Sequence, residues 1–440
     1  MTAKQRALPA FDAAKLAFLF LVALLVWMKP LFAIGGLGVV PADLVFLAVA
    51  TFWAVALLRG EVRPRWQPAF WLLLGYFAAI ALSVTQSADP ARSAFKLATQ
   101  AYLLALPVLA YQLVTARDDL RRVFAVWLAA SAMLAVLAAV TLMLFPLLGR
   151  DSVLEATLHD YGTLPPGPYP RLEMTFDYPA MLANYLTVSL MILLVCRAVG
   201  WIGSRLAWLL GLGIVAAAFF ALTPGFGGLL LAIGAWVWFT RRGINPTPAR
   251  VALIAGIAGG LVFTLAAALT PIVHPTAPFL LHLPGFERPV APSVRLLAWI
   301  DAVRNFAEAP IFGRGIGLDS VHLAYVTPQG LPGDVTDAHN GFLNIAVQCG
   351  LASLAAFVAL LVSAGRLGAR GRGPLSIGLL IALLSGMAFQ GLVGSFEDAR
   401  HLWIVFGLLL AASRIEGDGA VPDAGFEPAT FGLQNRCSTS

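Results

Sequence analysis

Charged side chains are scarce in this sequence: Asp, Glu, Lys and Arg together make up 12% of its 440 residues, whereas 59% are hydrophobic. So few charges cannot cover the surface of a soluble protein of this size, which excludes an ordinary soluble domain. The mean hydropathy of +0.83 requires instead that much of the apolar surface be buried in a bilayer. The sequence therefore predicts a polytopic membrane protein.

Cysteine is nearly absent as well, with only three widely separated residues, Cys196, Cys349 and Cys437. This spacing predicts neither a disulfide framework nor a zinc site. Basic residues are not interleaved with aromatic residues in a patch, which disfavours a nucleic-acid partner. We therefore expect a chain without a metal centre and without a nucleic-acid partner.

Long apolar stretches, by contrast, recur along the whole chain. A membrane-spanning helix needs roughly 20 mainly apolar residues, and about twelve stretches approach that length. Their predicted ranges are 14–30, 40–58, 68–85, 97–114, 122–148, 179–199, 204–222, 226–240, 250–271, 340–364, 375–393 and 400–413. The fold class is therefore an all-α polytopic membrane protein, in which the short eighth stretch is tilted or re-entrant.

Lys and Arg predict the orientation, because cytoplasmic loops retain positive charge. Eighteen of these residues fall on the side of the N-terminus, ten fall on the opposite side, and Arg436 lies in the tail. Both termini are therefore predicted to be cytoplasmic, and the long loops 149–178 and 272–339 to be periplasmic. Residues 1–415 form a single membrane domain in this interpretation, and 416–440 form a disordered cytoplasmic tail.

The second long loop is predicted to contain an amphipathic helix that begins after Ser293, a good N-cap residue. Its apolar residues recur at helical spacing, so the helix is expected to lie along the membrane surface. These residues are Leu296, Leu297, Ile300, Val303 and Phe306.

Four arginines, Arg171, Arg288, Arg295 and Arg314, are predicted on the same face of the membrane. Arg295 stands in the first turn of the amphipathic helix, where a cation opposes the helix dipole, so it needs an anionic ligand or an ordinary salt bridge. Arg314 lies in a glycine-flanked turn that approaches a ligand closely or simply makes a tight connection. Arginine forks match phosphate oxygens, and the set predicts a diphosphate site. Arg171 has a simpler interpretation as a snorkelling arginine.

One imidazole stands where a polar stretch runs into an apolar helix, in the segment DVTDAHNGFLNIAVQCG. His339 can accept a proton from an attacking hydroxyl, or the His339–Asn340 pair can merely cap the helix. A metal cluster of Asp334, Asp337 and His339 is disfavoured, because no second His or carboxylate repeats at ligand spacing. The last outward turn, around Glu397, orients His339 or consists of simple interface residues.

The pair His339–Asn340, followed by Gly350, resembles the H-N-x₉-G signature of bacterial O-antigen ligases and related O-antigen polymerase-like membrane proteins. The resemblance extends over roughly residues 14–413. Further residues fit the same family in the same order: Arg171, Asn184, Tyr185, Arg295 and the turn PIFGRGIG at 310–317.

Two departures from the family pattern stand out. Ser353 occupies a position where the family usually has a second glycine, but a small residue still permits close helix packing. The turn TPGFG at 223–227 lacks an arginine that many relatives carry. This second departure disfavours the polymerase-like branch relative to the ligase.

The resemblance implies a metal- and nucleotide-independent glycosyltransferase without cofactors at the periplasmic face of the bacterial inner membrane. It would move a glycan from undecaprenyl diphosphate to a sugar hydroxyl of lipid A core, in lipopolysaccharide assembly. The catalytic residues would be His339, Arg295 and Arg171, and His339 would be the base or would orient the acceptor. The residues expected to bind the diphosphate are Arg171, Arg288, Arg295 and, as a second-tier candidate, Arg314. The supporting residues would be Asp337, Asn340 and Glu397.

A single displacement would invert the anomeric centre, and a covalent intermediate is not expected, because no carboxylate is clearly paired with His339. The alternatives within the same architecture are an O-antigen or exopolysaccharide polymerase and a protein O-oligosaccharyltransferase. A polysaccharide transporter is a further alternative. It would require ionisable groups near the middle of the bilayer and inverted halves, and neither is apparent.

Overall fold

The computed structural model describes residues 9–34, 37–149, 152–161, 169–269, 293–326, 332–371 and 373–418. This part of the chain is mostly helical, and each of the twelve predicted apolar stretches overlaps one helix. The helices are α1 (Ala10–Leu24), α2 (Pro41–Leu58), α3 (Ala69–Ser83), α4 (Pro90–Leu113), α5 (Arg117–Leu148), α6 (Pro179–Ala198), α7 (Ser204–Phe220), α8 (Phe226–Arg241), α9 (Pro246–Leu269), α10 (Val294–Glu308), α11 (Gly341–Gly371), α12 (Pro374–Leu383) and α13 (Arg400–Asp418).

Eight helical segments of the described residues are long and apolar enough to cross a membrane. They are α2, α3 with its short extension to Gln86, α4, α5, α6, most of α9, α11, and α12 with its extension to Leu392. The helices α7 and α8 are apolar but shorter. These lengths support a helical protein embedded in a membrane, and the number of spans remains a prediction.

Three short antiparallel hairpins, which were not predicted, lie in the connections of this mostly helical protein. They are β1 (Phe32–Ile34) with β2 (Leu37–Val39), β3 (Leu158–Tyr161) with β4 (Tyr169–Leu172), and β5 (Leu323–Val326) with β6 (Pro332–Val335). Strands of three or four residues are too short to show a clear period-2 pattern in the sequence. Each pairs only with its neighbour along the chain, inside a connection between helices.

Helix α6 lies at the centre of the bundle, with almost every residue from Leu182 to Cys196 buried. Its polar side chains are paired inside the protein, as a spanning helix requires. Asn184 donates to the carbonyl of Gly386 at 2.9 Å and contacts His401 Nε2 at 2.6 Å. Asn184, one of the residues that carry the family resemblance, therefore connects α6 to the extension that follows α12 and to the start of α13.

The connections between the helices lie at two opposite ends of the bundle, and polar contacts between distant segments identify each end. Arg400 donates to Asp43 at 2.6 and 2.8 Å, and Lys29 pairs with Glu173 at 2.9 Å. At the opposite end, Lys15 pairs with Asp119 at 2.8 Å. We call the first end the loop end, because the described residues of both long connections, 149–178 and 309–340, lie there.

Helix α11 is broken at Gly350, whose φ of 77° lies in the left-handed region. The turn 310–317 fills the break: the N–H groups of Arg314 and Gly315 each donate at 2.9 Å to α11 carbonyls. A Cβ at Gly350 would lie 2.1 Å from the carbonyl oxygen of Ile311, so only glycine fits. The close approach of this glycine-rich turn is therefore made to α11.

The amphipathic helix α10 begins as predicted, because Ser293 Oγ accepts the N–H of Leu296 at 3.1 Å. The residues through which it packs inside the protein were not predicted from the sequence. Ala298 and Ala302 are buried against α11 and the β5–β6 hairpin, whereas Val303 is 54% exposed. Two alanines one turn apart allow a close approach of the helices that larger side chains would prevent.

Helix α13 continues to Asp418, two residues beyond the predicted start of the tail at about residue 416. Glu416 accepts the backbone N–H groups of Leu375 and Ser376 at 3.0 and 3.1 Å, and so it caps the start of α12. Residues 419–440, and Cys437 with them, lie outside the described residues. Cys196 and Cys349 are free and buried.

Candidate functional site

The predicted base and its neighbour have separate roles at the start of α11. Asn340 is the helix cap: its Oδ1 accepts the N–H groups of Phe342 and Leu343 at 3.0 and 3.1 Å. The His339 side chain is 47% exposed, and its Nδ1 lies 3.4 Å from Asp337 Oδ1. Its backbone φ of 49° is uncommon for a residue with a side chain and marks a locally strained position.

Asp337 holds His339 in this conformation. Its Oδ1 accepts the backbone N–H of His339 at 2.6 Å and lies 3.4 Å from His339 Nδ1. The expectation that no carboxylate is clearly paired with His339 is therefore wrong, because the turn folds the chain back on the residue two positions earlier. With Nδ1 facing a carboxylate, Nε2 is the ring nitrogen that remains for a substrate proton.

Arg295, in the first turn of α10, lies close enough to act on the imidazole. Partial burial lowers the pKa of His339; the carboxylate of Asp337 opposes this effect, and the positive charge of Arg295 adds to it. Since the pKa falls below its ordinary value of 6.5, the imidazole is neutral at pH 7 and is able to accept a proton. We call Asp337, His339, Asn340 and Arg295 the His339 rim.

A buried asparagine that sequence reasoning missed connects the rim to the last connection of the loop end. Asn344 Nδ2 lies 2.7 Å from Asp337 Oδ2, 2.8 Å from Ser395 Oγ and 3.1 Å from Glu397 Oε1. Its Oδ1 accepts the hydroxyl of Ser320 at 2.7 Å. The available signal was an amide one turn after Asn340 in an otherwise apolar helix. Glu397 is thus connected to Asp337 through Asn344.

A recess of about 440 Å³ opens beside the rim, and we call it the polar cavity. Its ionisable lining residues are Arg92, Lys96, Asp319, Asp337, Glu397 and Asp398. Its other polar or aromatic lining residues include Gln100, Asn344, Gln348, Tyr76, Tyr178 and Phe95. Asp337 belongs to both the rim and the cavity. Burial and the neighbouring carboxylates of Asp398 and Asp337 raise the pKa of Glu397 to about 8.

The predicted diphosphate arginines occupy different positions at this end. Arg171 lies on β4 opposite His159 of β3, and this hairpin packs on α6 and α7. Arg314 anchors the turn on α11, and its Nη1 is buried without a hydrogen-bond partner among the described residues. Arg288 lies outside the described residues. Of the predicted set, Arg295 is the arginine whose charge acts on His339.

The cations that line the polar cavity are Arg92 and Lys96, which sequence reasoning placed on this side but did not use. Arg92 pairs with Asp319 at 2.8 Å, and Lys96 pairs with Asp398. The convergence of four arginines on His339 therefore remains a prediction for Arg171, Arg288 and Arg314. Each of the two cations is paired with a carboxylate, unlike the unpaired cations of an anion-binding cluster.

Among the described residues, no group of three or more His, Cys, Asp and Glu side chains is arranged to hold a metal ion. Asp334, one member of the metal cluster considered from the sequence, lies in β6 opposite Ala324 and is exposed. Comparison of the chain with models of protein families gives no match, and comparison with curated proteins gives none either.

Proposed function

We propose that this protein is an O-antigen ligase-like glycosyltransferase of the bacterial inner membrane, with about twelve spans and both termini in the cytoplasm. It transfers a glycan from undecaprenyl diphosphate to a sugar hydroxyl of lipid A core at the periplasmic face. The observation that carries the proposal is the His339 rim: an exposed imidazole, aligned by Asp337, with Arg295 beside it. The apolar helices and the H-N-x₉-G resemblance support the same proposal.

In this mechanism the acceptor hydroxyl gives its proton to His339 Nε2 as its oxygen bonds to the anomeric carbon. The bond between that carbon and the phosphate oxygen breaks, and undecaprenyl diphosphate leaves with the electron pair. Direct displacement of this kind inverts the anomeric centre. Asp337 then stabilises the imidazolium that forms, as a carboxylate does when it faces Nδ1.

The leaving group accumulates negative charge in the transition state, and a fixed guanidinium stabilises that charge more strongly than it stabilises the ground state. Arg295 is in position for this role, because it already acts on the same imidazole. Arg171, Arg288 and Arg314 are assigned to the diphosphate by the resemblance.

The test is a transfer assay with the purified protein in lipid nanodiscs and without added metal. The donor is undecaprenyl diphosphate carrying a glycan, and the acceptors are lipid A core and a second carrier-linked glycan, supplied separately. Consumption of lipid A core supports a ligase. Consumption of the second carrier-linked glycan alone replaces it with a polymerase, and transfer to neither acceptor contradicts the proposal.

The His339→Ala variant is expected to lose about 10²- to 10⁴-fold in transfer rate, the usual contribution of a general base. His322→Ala is the matched control, because His322 is exposed on the same connection and contacts Asp301 only through its backbone N–H. Near-normal transfer by His339→Ala, with correctly inserted protein, would rule out the catalytic assignment.

A further inference from the structure

The polar cavity has an excess of hydrogen-bond acceptors over free donors. Its lining contains four carboxylates and two cations, and each cation already pairs with one of the carboxylates. Asp337 remains as a carboxylate without a cationic partner of its own in the cavity, and Glu397, whose pKa burial raises to about 8, is a neutral acid at pH 7. A negatively charged ligand would therefore enter against a net negative lining, at a cost that grows as water is excluded.

Two glutamines of α4 show that an acceptor is left open in this cavity. Gln112 is satisfied on both sides: its Oε1 accepts the N–H of Arg65 at 3.0 Å, and its Nε2 donates to the carbonyl of Arg65 at 2.6 Å. Gln100 is only 3% exposed, and its Nε2 donates to Asp398, but its buried Oε1 has no partner among the described residues. A buried carbonyl oxygen without a donor costs about 1–3 kcal/mol, so it calls for a ligand that donates.

Glu397 gives a second open polar atom on another wall of the same cavity, the oxygen of a carboxyl group that both donates and accepts when it is protonated. Its Oε1 meets Asn344 at 3.1 Å, whereas its Oε2 is buried without a partner among the described residues. A Cβ at Gly341 would lie 2.8 Å from that Oε2, so the carboxyl group packs directly over the start of α11. The open oxygens of Gln100 and Glu397 therefore belong to different elements that face one recess.

The chemistry that satisfies such a lining is a neutral ligand rich in hydroxyl donors. Carboxylate and amide oxygens accept sugar hydroxyls, and the rings of Tyr76, Phe95 and Tyr178 offer apolar faces for sugar C–H groups. The volume of about 440 Å³ falls within the range of roughly 300–1,000 Å³ typical of small-molecule sites. Because Asp337 also holds His339, a sugar bound there lies next to the base.

We infer that the polar cavity is a saccharide subsite, which holds the acceptor sugar and presents its hydroxyl to His339, while the diphosphate binds outside the cavity. The identity of this sugar as the acceptor rests on the proposed function. The binding of a saccharide in the cavity does not.

The experiment measures binding of lipid-free core oligosaccharide to the intact protein in nanodiscs by saturation-transfer NMR, with inorganic pyrophosphate as competitor. We expect the oligosaccharide to bind and pyrophosphate not to displace it. Gln100→Met, which keeps the length of the side chain and removes the open acceptor, is expected to weaken binding at least tenfold. Gln112→Met on the same helix is the control and is expected to bind as the wild type does.

Displacement by pyrophosphate, or equal affinity of folded Gln100→Met and the wild type, would overturn the saccharide subsite. The competition experiment uses the wild type alone, so it decides even if Gln100→Met does not fold. Oligosaccharide binding without transfer to any acceptor would contradict the proposed function and leave the subsite intact. If transfer occurs and Gln100→Met keeps the wild-type KM for the acceptor, the saccharide subsite is contradicted and the proposed function stands.

Discussion

The His339 rim and the polar cavity share one carboxylate, Asp337, but they differ in charge and exposure. On the rim, an exposed imidazole lies near the positive charge of Arg295. In the cavity, one buried oxygen each of Gln100 and Glu397 has no hydrogen-bond partner among the described residues, and the cations are already paired. A glycosyl transfer needs both environments, because the leaving diphosphate is an anion and the acceptor is a polyol. Because the two environments share Asp337, the proposed site would offer both of them to its substrates.

The largest effect is expected from displacing the turn 310–317, which forms part of the wall of the polar cavity. Gly350→Ala places a methyl group 2.1 Å from the carbonyl oxygen of Ile311 and forces a left-handed φ on alanine. The turn 310–317 carries Ile316 and Gly317 into the cavity wall, so it must shift. We expect a loss of about 3 kcal/mol or more in folding stability.

The measurement is the yield of monodisperse protein and its Tm in detergent. Gly365→Ala is the matched control, because Gly365 lies in the same helix and a Cβ there meets nothing within 4 Å. A Gly350→Ala protein as stable as Gly365→Ala would show that the break in α11 does not depend on glycine.

The charge of the rim is tested by the pH dependence of transfer. Arg295 lowers the pKa of His339 and Asp337 raises it. A base must be deprotonated, so activity falls as the pH drops through that pKa. Arg295→Ala is therefore expected to move the acid limb of kcat to higher pH and to reduce transfer about 10²- to 10³-fold, typical of the loss of one transition-state donor. Asp337→Asn is expected to move the limb to lower pH.

Arg304→Ala controls for the loss of a positive charge from α10, because Arg304 is exposed on the same helix. Its acid limb is expected to coincide with that of the wild type. Shifts of the same sign in Arg295→Ala and Asp337→Asn would mean that the limb does not report His339.

The smallest expected effect tests the acid-rich character of the cavity through stability. Burial raises the pKa of Glu397 from 4.5 to about 8, so between these values the folded protein binds a proton that the unfolded chain has lost. Stability contributed by this group is therefore present at low pH and is lost as the pH rises towards about 8. Glu397→Gln, which stays neutral, removes this loss.

We expect the Tm of Glu397→Gln to rise relative to the wild type by about 1–3 °C between pH 5 and pH 8.5, measured at one scan rate in the same detergent. Glu155→Gln, at an exposed position, is the control. A difference in Tm that stays constant over this pH range would contradict a buried, protonated Glu397.

Much of the helical pattern followed from local sequence. Apolar stretches of membrane length have no alternative to helix in a bilayer, because every backbone group must be paired within the segment. The Ser293 cap and the Asn340 cap were predictable for a similar reason, since capping depends on residues three or four positions apart. The buried face of α10 was not predictable, because it depends on how closely Ala298 and Ala302 approach a helix far along the chain.

The residues of the candidate site likewise fall into those that the sequence revealed and those that only the structure revealed. His339 was identifiable because a lone imidazole at the start of an apolar helix is conspicuous. Gln100 was not, because an isolated glutamine in a spanning helix is indistinguishable from Gln112 until the partners of both are known. Glu397 and Asp337 lie 60 residues apart in the chain, and they meet only through Asn344.

The sequence by itself determined that this chain is a helical membrane protein and that its candidate base stands at a helix start, because hydropathy and capping act over a single helix. Only the tertiary structure decided that Asp337 holds His339, that the glycine-rich turn fills the break at Gly350, and that an acid-rich cavity adjoins the rim. These contacts join residues from α3, α4, α6, α11 and the connection before α13. Their energies depend on burial and on distances between segments, which no local pattern specifies.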